Sequence, residues 1–593
     1  MLFRDFCEHL KALEITSERL KMISILAKLF KELSPEELEK AVYLLLGELW
    51  PDWMGYPELG VAEKMCLEAI SRASGMSRSE LDKMFKRMGD IGRVAELAMQ
   101  KKRLTALVAQ QLTIADVYDS LAKAARATGP GSQDLKIRIL TGLFVSASPI
   151  EAKYIARMVL GTMRLGIQEM TILDGLAQAF FGTKEKRPII ELAFNKYPDI
   201  GYIARITAEK GEEGLKKIKA KPGVPIRPML AERLSSPTEI LMKIGGEGIA
   251  EYKYDGERAQ IHKTEDGKIV IFSRRLENIT NQYPDVVKAM KEAVQGDTFI
   301  VEGEIVCVDP DTGELRPFQE LMHRKRKYDI ARAMQEYPVK VFLFDCLYLN
   351  GEELLDKPYP KRREILESIV KITDMVELAK AKHVRRPEEL EEFMLQAVED
   401  GCEGVVVKSL SSDAIYEAGA RGWKWIKYKR DYKSEMMDTV DLVVVGAFHG
   451  RGRRSGTYGA LLVAAYNPQR DVFESVCKVG SGFTDTQLAE LPNLLKPHIV
   501  KEKPHNVDVA EGMEPDVWVY PKLVIEVLGA EITLSPIHTC GRDLVYEKFK
   551  KKAGLAIRFP RFINWRPDKG PTDATTSQEI FEMYLKQLRK LQA

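Results

Sequence analysis

The segment EYKYDGERAQIH, Glu251 to His262, places Lys253 at the end of an apolar-flanked strand pattern (GIAEYKY), with Asp255, Gly256 and Arg258 close behind it. Lysine is a poor nucleophile while protonated, so a lysine that does covalent chemistry needs its ammonium destabilised by burial or by nearby positive charge. Both levers are within reach, because the strand is apolar and Arg258 follows in the same segment. Asp255 and Gly256 would make a tight turn that lets a phosphate approach the backbone. The same letters also read as a strand, a type I′-like turn and a second strand with surface charges. Two other stretches carry charge in a pattern. In FIVEGEIV, Glu302 and Glu304 alternate with apolar neighbours and project to one face. In RGWKWIKYKRDYK, Lys427 and Lys429 alternate along a strand and share a face, which is either a solvated edge or a surface that holds phosphate.

Three kinds of texture must position these residues. To about residue 215, apolar residues recur at helical spacing, and Ser34-Pro35-Glu36-Glu37, Ser77 to Glu80 and Ser148-Pro149-Ile150-Glu151 each set a capping hydroxyl three residues before a glutamate. Proline at the first helical position of two of them strengthens the reading. AKPGVPIRPML follows as an extended linker, its prolines forbidding helix. The middle third mixes strands (RAQIHK, IVIFSR, TFIVEGEIVCV, VKVFLFDCLYL, EGVVVK) with helical stretches such as YPKRREILESIV. Beyond Tyr432 strands dominate: VDLVVVGAF, GALLVAAY, ESVCKVG and LVIEVLGAEI suit a small barrel of the oligonucleotide-binding type or another small β fold, and a capped helix from Thr576 follows. The fold class expected is therefore multi-domain α+β, with an all-helical domain at 1–220, a mixed α/β domain at 221–431 and an OB-type β-barrel with a C-terminal helix at 432–593.

Composition narrows the function classes. A chain of 593 residues is too long for one core, and 45% hydrophobic with 30% charged residues is ordinary globular content. With 89 basic and 87 acidic residues the net charge is only +2, so any nucleic-acid contact must rest on local patches. The seven cysteines form no C-x-x-C pair, which points to free, buried thiols and away from structural zinc. The charged amphipathic start (MLFRDFCEHLKALE) is no signal peptide, and no apolar run approaches spanning length, so a cytoplasmic protein without a membrane partner is expected.

The motifs occur in a telling order: KYDGER (253–258), SRRLE (273–277), VEGEIV (301–306), FLFDCLYLNG (342–351), EGVVVK (403–408), WIKYKRDY (425–432) and RFPRFINWRPDK (558–569). In this the sequence resembles the ATP-dependent DNA ligases of the nucleotidyltransferase superfamily, closely the archaeal and eukaryotic replicative type. TGPGSQDLKIRIL, RLGIQEMTILDGLAQAF, RPMLAERLSS and ATTSQE extend the resemblance over essentially the whole chain. It implies that Lys253 attacks the α-phosphate of ATP and becomes a lysyl-adenylate. Glu251 would read the adenine edge and Phe344 would stack on the base. Arg258 and Arg274 would serve sugar and phosphates, and Arg421, Lys408, Lys427 and Lys429 would lie near the nucleotide. Glu304 and Glu403 would take Mg²⁺, or Mn²⁺ in its place; Glu302, which alternates onto the same face, reads from the pattern itself as a structural pair partner. Arg558, Arg561, Arg566 and Lys569 would supply mobile positive charge on the last domain, orienting the departing pyrophosphate.

The implied activity is sealing of nicked double-stranded DNA, by a monomer, in replication, repair and recombination. A sliding-clamp partner is usual in the family; QKKRLTAL (100–107) is either a degenerate clamp motif or a plain amphipathic segment. Rival readings fit less well. A capping guanylyltransferase shares K-x-D-G without needing the helical third, an NAD-dependent ligase would carry a cysteine zinc cluster, and a non-catalytic end-binding protein would not need an intact nucleotide pocket. HGRGRRSGTYG looks like a phosphate loop but opens no helix, so an exposed hairpin, with or without contacts to the DNA backbone, is expected. HRKRK at 323–327 reads as a solvated charge run.

Overall fold

The computed structural model describes residues 1–101, 111–309, 315–316, 318–324, 330–429, 439–450, 457–529, 531–535, 537–558 and 560–592. Most of the candidate clamp segment and of HRKRK, the centre of HGRGRRSGTYG and the 431/432 boundary lie outside the described residues, as does the side chain of Arg558.

Capping serines start helices where the sequence sets them. Glu37, Glu80 and Glu151 reach back to the N–H groups of Ser34, Ser77 and Ser148 at 3.1, 3.0 and 2.7 Å, which fixes the starts of Pro35–Leu46, Arg78–Met88 and Pro149–Val159. Helices fill the chain to Lys216, and their apolar faces share one core that includes Phe3, Phe6, Phe30, Phe144 and Phe194. The proline-rich stretch after them is extended, as expected, but it is no free tether. Ile226 is fully buried, its N–H donates to Gln260 Oε1 at 2.7 Å, and the N–H of Gly223 donates to His262 Nδ1 at 3.0 Å.

The middle region holds β1 (Leu230–Arg233), β2 (Gly248–Lys253), β3 (Glu257–Lys263), β4 (Ile269–Ser273), β5 (Phe299–Cys307), β6 (Val339–Leu349), β7 (Glu352–Glu353), β8 (Val376–Leu378), β9 (Ala381–Val384), β10 (Gly404–Ser409) and β11 (Arg421–Lys429). They form two sheets, one in the order β1-β11-β10-β2-β9 and one in the order β4-β3-β5-β6-β7 with β8 beside β6. The hairpin reading of KYDGER is thereby corrected. β2 pairs with β9 and β10 while β3 pairs with β4 and β5, so the segment carries the chain from one sheet to the other. Gly256 is needed at this crossing for closeness alone, because a Cβ there would stand 2.2 Å from the carbonyl oxygen of Ile305.

The last region contains β12 (Val440–His449), β13 (Tyr458–Asn467), β14 (Val472–Val479), β15 (Ile499–Val500), β16 (Val507–Asp508), β17 (Val517–Val519), β18 (Val524–Leu528), β19 (Glu531–Ser535), β20 (Gly554–Arg558) and β21 (Arg561–Trp565). Most join one curled sheet ordered β15-β17-β12-β13-β14-β16, to which β18 adds at β12 and β21 at β18. A bridge between Ser481 and Arg561 brings β21 back beside the end of β14. The short strands make the sheet richer than the five or so expected. The closing helix, Ser577–Gln592, starts at Thr576, whose N–H and Oγ1 exchange hydrogen bonds with Glu579 at 2.9 and 3.1 Å. All seven cysteines are free and buried. Among the described residues no helix is long and apolar enough to cross a membrane.

Candidate active site

A cavity of about 410 Å³ lies between the two sheets of the middle region, and β2, β3, β5, β6, β10 and β11 all reach it. Strand register builds its floor. Lys253 of β2, Gly404 of β10 and Lys429 of β11 stand in one cross-strand row, with Glu251, Val406 and Lys427 in the next. Side chains two apart share a face, so Glu251 and Lys253 point into the cavity together with Trp425, Lys427 and Lys429. Gly404, having no side chain, leaves the space between the two lysines open, and only glycine fits there, because a Cβ would stand 2.2 Å from the carbonyl oxygen of Tyr428.

Glu403 occupies that opening. Its Oε2 lies 2.6 Å from Lys253 Nζ and 3.0 Å from Lys429 Nζ. Burial pushes the Glu403 carboxyl up, but Lys253 and Lys429 outweigh it and hold the group well below the usual carboxylate range. The positive neighbour expected for Lys253 is thus Lys429, bridged through a carboxylate. Arg258 is engaged elsewhere: it donates to Glu302 at 2.8 Å and to the carbonyl of Met229 at 2.8 Å. Glu302 also accepts from Tyr416 at 2.8 Å and is 1% exposed, the pair-partner role set out for it above.

Glu304 faces the cavity opposite Arg258 in strand register, and burial outweighs Lys253 and Arg258 to push its carboxyl up to about 8. A bound divalent cation would offset that burial and hold the carboxylate ionised beside Glu403, and carboxylate oxygens suit a hard cation of this kind. Among the described residues no cluster of three or more potential metal ligands occurs, so such an ion would complete its shell with water or phosphate oxygens. The Nε–H groups of Arg258 and Arg274, both lining the cavity, are buried without an acceptor among the described residues, which fits oxygen-rich ligands. Burial holds the Arg274 guanidinium below its usual value.

At the other end the lining turns aromatic. Phe344 stands edge-on to Trp425 with ring centroids 6.2 Å apart, and Lys408 Nζ lies 4.8 Å from the Phe344 ring centre. Lys408 is 2.6 Å from Glu251 Oε2, and burial pulls its ammonium below the ordinary value despite that partner. Glu251 is fully engaged, since Oε1 accepts from Tyr359 Oη and from Arg363 at 3.0 Å. The carboxylate thus anchors Lys408 and Arg363, a task that the adenine-edge expectation did not include. Tyr359 and Arg363 went unmarked in the sequence, although their spacing on the helix Tyr359–Ile369 puts them on one face.

The last region closes the cavity. Asn564, Trp565, Arg566, Pro567, Asp568 and Lys569 line it, and Arg275 of the middle region donates to the carbonyl of Pro567 at 3.0 Å. Arg566 pairs with Asp568 through two hydrogen bonds of 3.0 and 2.9 Å. Arg561 is exposed on β21 and is not part of the lining. Arg421 lines the cavity yet donates to Glu579 of the closing helix, so it ties the two regions together.

Three family models match the chain: DNA ligase N terminus over residues 2–177, ATP dependent DNA ligase domain over 228–429, and ATP dependent DNA ligase C terminal region over 454–569. Relatives match end to end. A DNA ligase from Sulfophobococcus zilligii is 58% identical over 600 residues, covering 100% of this chain and 98% of that one. DNA ligases from Staphylothermus marinus and Ignicoccus hospitalis are 55% and 54% identical, each covering 100% of both chains. A lysine, two carboxylates and a ring of basic side chains around one cavity, matched along the full length to these relatives, place the chain in the ATP-dependent DNA ligase family.

Proposed function

We propose that this DNA ligase seals nicks in duplex DNA through a covalent adenylate on Lys253. The Nζ–P bond forms as the bond from the α-phosphorus to the pyrophosphate oxygen breaks; pyrophosphate leaves with the electron pair, and the protons of the ammonium pass to water. AMP then moves to the 5′-phosphate of a nick, and the neighbouring 3′-hydroxyl displaces it. Phe344 and Trp425 would take the adenine, with Glu251, Arg363 and Lys408 setting the shape of that end. Arg258 and Arg274 would hold sugar and phosphate, while Lys427 and Lys429 would hold the α-phosphate. Glu304 and Glu403 would hold Mg²⁺, with Mn²⁺ as an alternative, which neutralises phosphate charge when bound. Arg566 and Lys569 would meet the polyphosphate from the opposite wall, with Arg421 fixing how the last region sits.

The convergence of Lys253, Glu304, Glu403, Lys427 and Lys429 with Arg566 and Lys569 on one cavity carries this reading. The helical domain, residues 1–220, would grip DNA through phosphates and groove shape, so binding should be sequence-independent and weaken with salt. We take the protein to act as a monomer in the cytoplasm, working with a sliding clamp. Incubation with α-labelled ATP tests the reading: the protein should take covalent label that Lys253→Ala abolishes. Label from GTP or NAD alone would overturn it.

A further inference from the structure

Asp441, the second residue of β12, was passed over in the sequence, although a lone carboxylate in the apolar run VDLVVV is itself a signal. Its side chain is 4% exposed and lies in the wall of the same cavity as Lys253. Three cations from two parts of the chain meet it. Lys569 donates to Oδ2, Arg566 stands 3.5 Å from Oδ1, and Arg233 of β1 stands 3.7 Å from Oδ2. The main chain is clamped as well, for the Asp441 N–H donates to Thr575 Oγ1 at 2.9 Å and its carbonyl accepts from the Thr575 N–H at 2.8 Å.

A buried carboxylate persists only where cations compensate it, and a buried ammonium has the same need. Lys569 is 7% exposed at its side chain, and Asp441 is its ion-pair partner. That contact is what directs its flexible stem along the cavity wall. Arg566 has further carboxylates at Asp568 and at Glu526, the latter 3.9 Å away and opposite Asp441 in register. Arg233 adds the second function of the carboxylate, because it belongs to the middle region and so joins the two walls.

We propose that Asp441 is a positioning residue for self-adenylation, holding Lys569 and Arg566 against the incoming polyphosphate and, through Arg233, holding the last region closed over Lys253. The inference rests on the reading of Lys253 as the adenylated residue. Its effect is confined to one step by charge: only self-adenylation expels pyrophosphate, whereas sealing a nick that already carries AMP involves no polyphosphate.

Asp441→Asn keeps the shape and removes the charge. Two reactions are measured on the full-length protein: uptake of label from α-labelled ATP, and sealing of a nicked duplex whose 5′-phosphate already carries AMP, without ATP. Label uptake is expected to fall about 100-fold, the scale of losing one preorganised electrostatic contact. Sealing of the adenylated nick, which involves no polyphosphate, should stay within about threefold. Lys569→Met should show the same split, and the double variant should lose less than the product of the single losses, because Asp441 acts through Lys569. Unchanged label uptake in Asp441→Asn, equal loss of both reactions, or fully multiplicative losses would each overturn the proposal. Absence of label on the unaltered protein would instead remove the assignment of Lys253.

Discussion

Oε2 of Glu403 stands 2.6 Å from Nζ of Lys253, and the same oxygen is 3.0 Å from Nζ of Lys429. One carboxylate oxygen therefore gathers the two lysines that flank Gly404 in register. Glu403→Gln should cut label uptake about 100-fold or more, since an aimed charge at a phosphate site is worth that much. The magnesium concentration giving half the maximal rate should rise with it. Initial rates over a magnesium series check this, and rates matching the unaltered protein throughout would refute the role.

The aromatic end separates binding from chemistry. Phe344 presents a ring edge-on to Trp425 and lines the cavity. Losing one ring contact weakens stacking by about 1 kcal/mol, so Phe344→Ala should raise KM for ATP roughly fivefold to tenfold and leave kcat nearly unchanged. Phe344→Tyr should restore KM. A fall in kcat at constant KM would place the ring elsewhere in the reaction.

Glu302 and Glu304, neighbours in one motif, should respond in opposite ways. Glu302 neutralises Arg258 in a buried network, so Glu302→Gln leaves a guanidinium uncompensated and should cost about 3–5 kcal/mol of stability. In Glu304→Gln a carboxyl whose ionisation burial opposes becomes neutral, so stability should hold while label uptake collapses. Urea unfolding midpoints and label uptake on both variants decide the matter. Equal destabilisation by the two would contradict the division.

His262 predicts an acid limb of stability. Its Nδ1 accepts from Gly223 N–H and its Nε2 donates to Gln260 Oε1 at 2.9 Å, so the ring is held neutral, and burial pushes its pKa down to about 3 from 6.5. Between those values the unfolded chain binds a proton that the folded chain does not, so stability rises with pH across the window. It is present in full above about 6.5 and lost as pH falls toward 3, by an amount on the order of 5 kcal/mol. Unfolding free energies at several pH values should show a shallower slope in His262→Gln than in the unaltered protein, and parallel slopes would refute the assignment.

Much of this was legible before any coordinates. The capping glutamates at 37, 80 and 151, the strands IVIFSR and EGVVVK, and the shared face of Lys427 and Lys429 follow from contacts within a few residues. The proline-rich crossing and KYDGER were harder. Local turn chemistry makes a hairpin of Asp255-Gly256, and only the pairing of β2 and β3 with different partners shows that the chain changes sheets there. The partners of Glu251 were hidden for the same reason, because Arg363 and Lys408 lie far away in the chain.

The order of residues by itself determined which groups can do chemistry, which face of a strand or helix each one takes, and the family to which the motifs belong. Backbone periodicity dictates faces within one or two turns, so those features need no distant partner. Tertiary structure alone decided that Glu403 joins Lys253 to Lys429, that Arg258 turns to Glu302, and that Asp441 holds Lys569 beside the same cavity. Ion pairing acts over a few ångströms of space, and only strand register and the packing of one region on another bring such residues within that reach.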